Sequence, residues 1–169
     1  LVALPQAVWD GLVAEGYSTL FTEADSQIET ASLPRPDLLI VQGGVGALAC
    51  AAVEHYRPRG GRPAIAVVEP VDADCLLESI ASPDGQPSPA RGRQTSIMAG
   101  LNCGTPSPLA FPVLRDGLDF CVAIEDSFAE QAMRTLAANG IVSGETGAAA
   151  LGGLEAILAR VPAAVRKLF

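Results

Sequence analysis

The sequence predicts an α/β fold, a three-layer Rossmann-like parallel sheet with helices on both faces. Three observations carry this expectation. Asp37-Leu-Leu-Ile-Val41 and Ala64-Ile-Ala-Val-Val68 are short, apolar, β-leaning runs, as strands buried on both faces require. Between them lie a glycine cluster and an alanine-rich stretch, Ala47 to Tyr56, which suits a crossover helix. A third such run, Leu118 to Ile124, precedes another helical stretch, so strand and helix alternate.

Taken in order, Val8, Leu12, Val13, Tyr17, Leu20 and Phe21 recur at helical spacing and predict an amphipathic helix over residues 6–30. Pro34 and Pro36 end it. The strand at 37–41, the helix at 47–56, a turn at 57–63 and the strand at 64–68 make one right-handed β-α-β unit. Ala73 to Ile80 reads as a short helix and Ser82 to Arg93 as a surface loop. Thr95 to Pro112, rich in Gly, Asn and Pro, is expected to be irregular. After the third strand, Asp126 or Ser127 is expected to cap a helix that runs to Asn139 and stops at Gly140. A helix follows Ser143-Gly-Glu-Thr-Gly and ends near Arg160, and a last short one follows Pro162. No internal repeat is present.

The 169 residues suit a single domain, 1–169, with a sizeable core. Apolar residues make up 49% and charged ones 18%, which excludes disorder. Mean hydropathy is +0.32, yet the uncharged run Leu38 to Val53 contains Gln42 and three glycines and is too short to cross a bilayer. No secretory signal opens the chain, so a cytoplasmic location is expected. A net charge of −8, with scattered arginines, argues against nucleic acid as a partner. Cys50, Cys75, Cys103 and Cys121 form no C-x-x-C pair and are expected as reduced, mostly buried thiols, Cys103 among them. His55 is the only histidine, expected at an exposed helix end, so neither a two-histidine metal site nor a conventional triad beyond one imidazole is available. Lys167 is the only lysine and falls in a terminal surface helix.

The sharpest motif is Gln42-Gly-Gly-Val-Gly-Ala47, placed between a buried strand and a helix. Glycines let backbone N–H groups approach an anion, and a helix N-terminus adds unpaired donors and a favourable dipole. A Walker loop is excluded because no G-K-[ST] follows. A dinucleotide fingerprint fits: Gly44-x-Gly46-x-x-Ala49 opens the helix, and Glu69 closes the next strand where a ribose ligand is needed. Pyridoxal phosphate is the third candidate ligand, and periodicity does not choose among them.

Five segments together resemble diaminopropionate ammonia-lyase, a fold type II pyridoxal-phosphate enzyme of the tryptophan-synthase-β-like superfamily. They are Gly16-Tyr-Ser-Thr-Leu20, Val41-Gln-Gly-Gly-Val-Gly-Ala47, Val68-Glu-Pro-Val-Asp-Ala-Asp-Cys75, Thr95-Ser-Ile-Met-Ala-Gly-Leu-Asn-Cys-Gly104 and Ile141-Val-Ser-Gly-Glu-Thr-Gly-Ala148. The resemblance implies pyridoxal 5'-phosphate as cofactor, held through backbone N–H groups of Gly43, Gly44, Val45 and Gly46, with Ala47 at the helix start. It implies that Glu145 lies near the cofactor ring and that Ala99-Gly100-Leu101 runs along its edge. The implied reaction converts 2,3-diaminopropionate to pyruvate and ammonia. A dehydratase-like enzyme for serine or threonine, or a non-catalytic NAD(P)-binding module, are the alternatives.

In the family, the lysine that joins the cofactor and the acid or base aspartates precede the glycine loop in regions upstream of Leu1, and a last strand follows beyond Phe169. The chain is therefore expected to be a piece of the large domain with no catalytic residue of its own, inactive in isolation. Some relatives hold a cation at positions matching Glu69, Ala73 and Cys75; a thiol there suits a hard cation poorly, so no metal is expected. A homodimer is expected.

Overall fold

The computed structural model describes residues 6–60 and 63–160. In chain order these form α1 (Gln6–Thr30), β1 (Leu38–Gln42), α2 (Ala47–Tyr56), β2 (Ala64–Pro70), α3 (Cys75–Ala81), α4 (Ala110–Gly117), β3 (Phe120–Ile124), α5 (Asp126–Ala138) and α6 (Glu145–Arg160). Single 3-10 turns occupy Arg57–Arg59 and Ala99–Leu101. The helix expected after Pro162, and Lys167 within it, lie outside the described residues.

The three strands are parallel in the order β1-β2-β3, with Val41 opposite Val67 and Val67 opposite Cys121. Side chains alternate across the sheet with period two. Leu39, Val41, Ile65, Val67 and Cys121 pack towards α2, with Phe21 of α1 and Leu114 of α4 in the same core. Ile40, Val68, Val122 and Ile124 pack instead with Ala149 and Ala156 of α6 and Ala129 of α5. Helices thus cover both faces, the three layers expected. Burying a side chain such as Ile65 or Ile124 contributes about 1.5–3 kcal/mol. The pair Gly152-Gly153 lets α6 lie close: a Cβ at Gly153 would stand 3.1 Å from Val68 Cγ2, and one at Gly152 would stand 3.0 Å from the Phe128 backbone. No helix among the described residues is long and apolar enough to cross a membrane.

Four expectations need correction. Residues 110–112, expected to be irregular, open helix α4, and Pro112 is tolerated because it is the third helical residue, where a backbone donor has no partner to lose. The N-cap of α5 is Glu125, without a side-chain bond; Asp126 instead accepts from Ser96 Oγ at 2.5 Å and from the Ile97 N–H at 3.2 Å. Strand β2 runs on to Pro70 and so carries Glu69 into the interior. His55 is buried, not exposed, because α1 folds across α2 and supplies Asp25 as its partner at 2.8 Å. Among the thiols, Cys50 and Cys75 are buried, Cys103 and Cys121 half-buried, and all four are free.

Candidate cofactor-binding site

The site begins where β1 ends. The Gly43 N–H donates to Val68 O at 2.9 Å, extending the parallel ladder one residue past Gln42. The chain then reverses in a turn closed by the Gly46 N–H on Gly43 O at 3.0 Å. Gly44 (φ 57°) and Gly46 (φ 100°) lie in the left-handed region, which is why the motif needs glycine at those two positions. Helix α2 starts at once, and Gly46 O accepts the Cys50 N–H as its first intrahelical bond. Among the described residues the N–H groups of Gly44, Ala47 and Leu48 have no backbone acceptor. They form an open set of donors at the positive end of α2, at the carboxyl edge of the sheet.

The five motif positions expected to hold a phosphate are thus together, but they are not equivalent. Gly43 and Gly46 spend their N–H groups on shaping the turn. The Val45 N–H faces the Cys103 thiol, which burial and the nearby Glu69 carboxylate raise above its ordinary value against that contact. The donors left for an anion are those of Gly44 and the first turn of α2.

Below the turn sits Glu69, fully buried, with Oε1 accepting the Leu76 N–H and Oε2 the Leu77 N–H, both at 2.9 Å. Burial pushes its pKa up to about 7, while those two N–H bonds pull it the other way. A Cβ on Gly43 would come 2.7 Å from Glu69 Cγ, so the turn rests directly on this side chain. Glu69 is therefore the cap of α3 and the floor of the turn. Both its oxygens are committed, which removes it as a ribose ligand and with it the main support for a dinucleotide site. Cys75, pushed up to about 12 chiefly by burial, donates to Gly44 O at 3.5 Å. No group of three His, Cys, Asp or Glu side chains that could hold a metal occurs among the described residues.

Two further segments close on the turn. The 3-10 turn at Ala99–Leu101 places Gly100 O 3.6 Å from where a Gly44 Cβ would be. It is held from behind: Asp72 accepts from Thr95 Oγ1 (2.6 Å), the Thr95 N–H and the Arg93 N–H, while Ser96 bridges Asp126 and the Met98 N–H. Asn102 ties back to Ser96 through both backbone groups. The Thr95–Gly104 block is thus a loop braced by two aspartates, neither of which its local pattern announces. The other segment is the start of α6, where Gly144 O accepts the Ala148 N–H and Glu145 is the first, exposed, helical residue. Gln42 Nε2 donates to Gly147 O at 3.0 Å, and the Gly100 N–H donates to Thr146 Oγ1 at 3.1 Å. These two contacts bring Glu145 to the same edge as the glycine turn, and the motifs alone single out neither Gln42 nor Thr146 as a site residue.

A cavity of about 530 Å³ lies between α1, α2 and α4. It touches the glycine segment at Ala47, and its charged lining is Glu15 and Glu54 against Arg59, two carboxylates to one guanidinium, which does not favour a phosphate. The open donors are the groups that could hold an anion, and the left-handed glycines among them fit a phosphate-bearing cofactor there.

The family model for "Pyridoxal-phosphate dependent enzyme" matches residues 2–166. Diaminopropionate ammonia-lyase of Salmonella typhimurium is 35% identical over 165 residues, covering 89% of this chain and 41% of that protein. The Escherichia coli K12 protein of the same name is 35% identical over 164 residues, covering 88% and 40%. The chain therefore spans about two-fifths of the length of these curated relatives. In structure, the E. coli diaminopropionate ammonia-lyase superposes with a TM-score of 0.74 at 33% identity, over 85% of this chain and 37% of that one. A threonine deaminase from T.th. superposes with a TM-score of 0.79 at 21% identity, over 88% and 54%, a likeness of fold alone. The sheet, its glycine turn and these matches agree, and the chain belongs to the family of pyridoxal-phosphate dependent enzymes.

Proposed function

We propose that the chain is the phosphate-holding part of a larger pyridoxal-phosphate carbon–nitrogen lyase that converts 2,3-diaminopropionate to pyruvate and two molecules of ammonia. The observation that carries this is the open set of donors at Gly44, Ala47 and Leu48, on a turn whose positive φ at Gly44 and Gly46 favours glycine. The choice of substrate is supported by the 35% identity to proteins named diaminopropionate ammonia-lyase.

When bound, the cofactor supplies an electron sink for the bond-breaking steps. The residues of this chain bind and orient. Gly43 and Gly46 fold the turn, and Gly44, Ala47 and Leu48 present N–H groups to the phosphate. Glu69 supports the turn from below without touching the ligand. Glu145 would help to orient the ring, and Ala99-Gly100-Leu101 would help to hold it. Covalent attachment and proton transfer are not assigned to residues of this chain. The reading places the protein in the cytoplasm, in amino-acid degradation, as a homodimer.

The test is pyruvate and 2-oxobutanoate release by the protein that carries this chain, with 2,3-diaminopropionate, L-serine and L-threonine supplied side by side. Highest kcat/KM for diaminopropionate supports the proposal. Preference for a hydroxyl amino acid would move the protein to the dehydratases.

A further inference from the structure

Three backbone segments meet at the carboxyl edge of the sheet: the glycine turn, the Ala99–Leu101 turn and the first turn of α6. Each carries a different part of the expected cofactor contact, so their relative placement matters more than any one of them. Two side chains join them. Gln42 is the last residue of β1, and period two puts it on the same face as Ile40, towards α6. From there Nε2 reaches Gly147 O at 3.0 Å, across 105 residues of sequence. Thr146, the second residue of α6, accepts the Gly100 N–H at 3.1 Å. The approach is tight: a Cβ at Gly100 would stand 3.0 Å from Thr146 Cγ2. Gly100 O in turn faces Gly44. The contacts make a closed circuit from Gln42 through Gly147, Thr146 and Gly100 to Gly44.

We propose that Gln42 and Thr146 are positioning residues that lock the Glu145 turn and the Ala99–Leu101 turn to the glycine turn, so that phosphate and ring are gripped by one rigid unit. This rests on the proposed function above. Gly100 is exposed and Gln42 and Thr146 are half-exposed, so water replaces either lost bond at little cost to the fold. What water does not replace is the alignment of two grips on one ligand, where small displacements are expensive.

The experiment uses the protein that carries this chain, stripped of cofactor and titrated with pyridoxal phosphate. Affinity is followed by absorbance, and the set of the bound ring by visible circular dichroism. Thr146→Val keeps the shape and removes the acceptor; Gln42→Leu removes the other tie. Each is expected to weaken cofactor binding about tenfold, the loss of one well-placed hydrogen bond, and to reduce the dichroism. Competition by inorganic phosphate, which needs only the glycine turn, is expected to stay as in the wild type, and Thr146→Ser is expected to restore both signals. Wild-type affinity and dichroism in both variants would overturn the positioning role. So would a fall in the melting temperature of the cofactor-free variants that accounts for the weaker binding. A wild-type protein that takes up no cofactor would instead sink the functional reading, and the positioning role with it.

Discussion

The carboxyl edge of the sheet and the seam between α1 and α2 treat polar groups in opposite ways. At the edge, the turn after β1 leaves backbone donors open, and its two left-handed glycines keep side chains away from them. At the seam the polar side chains are closed on one another. His55 Nε2 and Tyr56 Oη both meet the Asp25 carboxylate, at 2.8 and 3.1 Å, and Phe21 packs against both rings. Among the described residues no buried side-chain nitrogen or oxygen lacks a partner. Unspent donors are the mark of a ligand site, and spent ones of a structural joint. Changes at the edge should therefore alter ligand affinity, and changes at the seam should alter stability alone.

Glu69 sits under the edge but is built like the seam, so it gives the hardest test of that division. Glu69→Ala strands the N–H groups of Leu76 and Leu77 and opens space beneath Gly43. The expected loss is about 3 kcal/mol in chemical denaturation, the largest effect among these predictions. Its pH dependence has a definite sign. Burial raises the folded-state pKa from 4.5 to about 7, so Glu69's contribution is full below about 4.5 and is lost as pH rises through about 7. Stability of the wild type measured from pH 4.5 to 8 should fall across that window relative to Glu69→Gln, whose amide does not titrate. Parallel curves for the two proteins would mean that the carboxyl is ionised throughout.

Gly46 and Gly44 separate backbone strain from crowding. Both have positive φ, but a Cβ at Gly46 would stand 2.5 Å from Leu114 Cδ1, whereas one at Gly44 would meet nothing nearer than 3.6 Å. Gly46→Ala should cost about 2 kcal/mol and Gly44→Ala about 1 kcal/mol, from the left-handed conformation alone. Thermal melts and cofactor titration on the same samples check both. The comparison breaks if Gly44→Ala, the milder change to the fold, leaves cofactor affinity untouched, because its N–H is one of the open donors.

These positions also mark where the sequence speaks plainly. The turn at residues 42–47 was legible because every requirement is local: a buried strand before, a helix after, and glycine where φ must be positive. The long helix, the crossover helix and the three parallel strands were legible for the same reason, through period and breakers. Glu69 was visible but its role was not, since its partners, the Leu76 and Leu77 N–H groups, belong to a helix whose docking the sequence does not announce. Helix α4 was hidden by Pro112, a breaker in most places and harmless in a first turn. Asp126 looked like a cap by local rule, yet Ser96, 30 residues away, takes its carboxylate. Gln42 and Thr146 carried no signal, because each acts across a gap that only the folded sheet closes.

At the seam, Asp25→Asn keeps the volume and weakens the clamp on His55. Burial alone would raise the Asp25 pKa, but the His55 and Tyr56 hydrogen bonds outweigh it and hold the carboxyl below its ordinary range. That contribution is present above about pH 4 and is lost as pH falls through the depressed folded-state value. Asp25→Asn should cost about 1 kcal/mol at pH 7, discounted because the carboxylate is 38% exposed, and progressively less in acid. Cofactor affinity should not move. Weaker binding with unchanged stability would connect the seam to the site and erase the distinction drawn between them.

Gly16 makes the smallest change and isolates the helix itself. It lies within α1, exposed, and a Cβ there would meet nothing within 4 Å. Its φ is not positive, so alanine fits the existing backbone. Gly16→Ala removes unfolded-state freedom without adding a contact and should stabilise the protein by about 0.5–1 kcal/mol. If α1 serves only to cover α2, that gain appears as a higher melting temperature with unchanged cofactor affinity. If stiffening α1 also tightens or loosens cofactor binding, the helix is mechanically coupled to the first turn of α2, where Ala47 offers its N–H, and the seam belongs to the site after all.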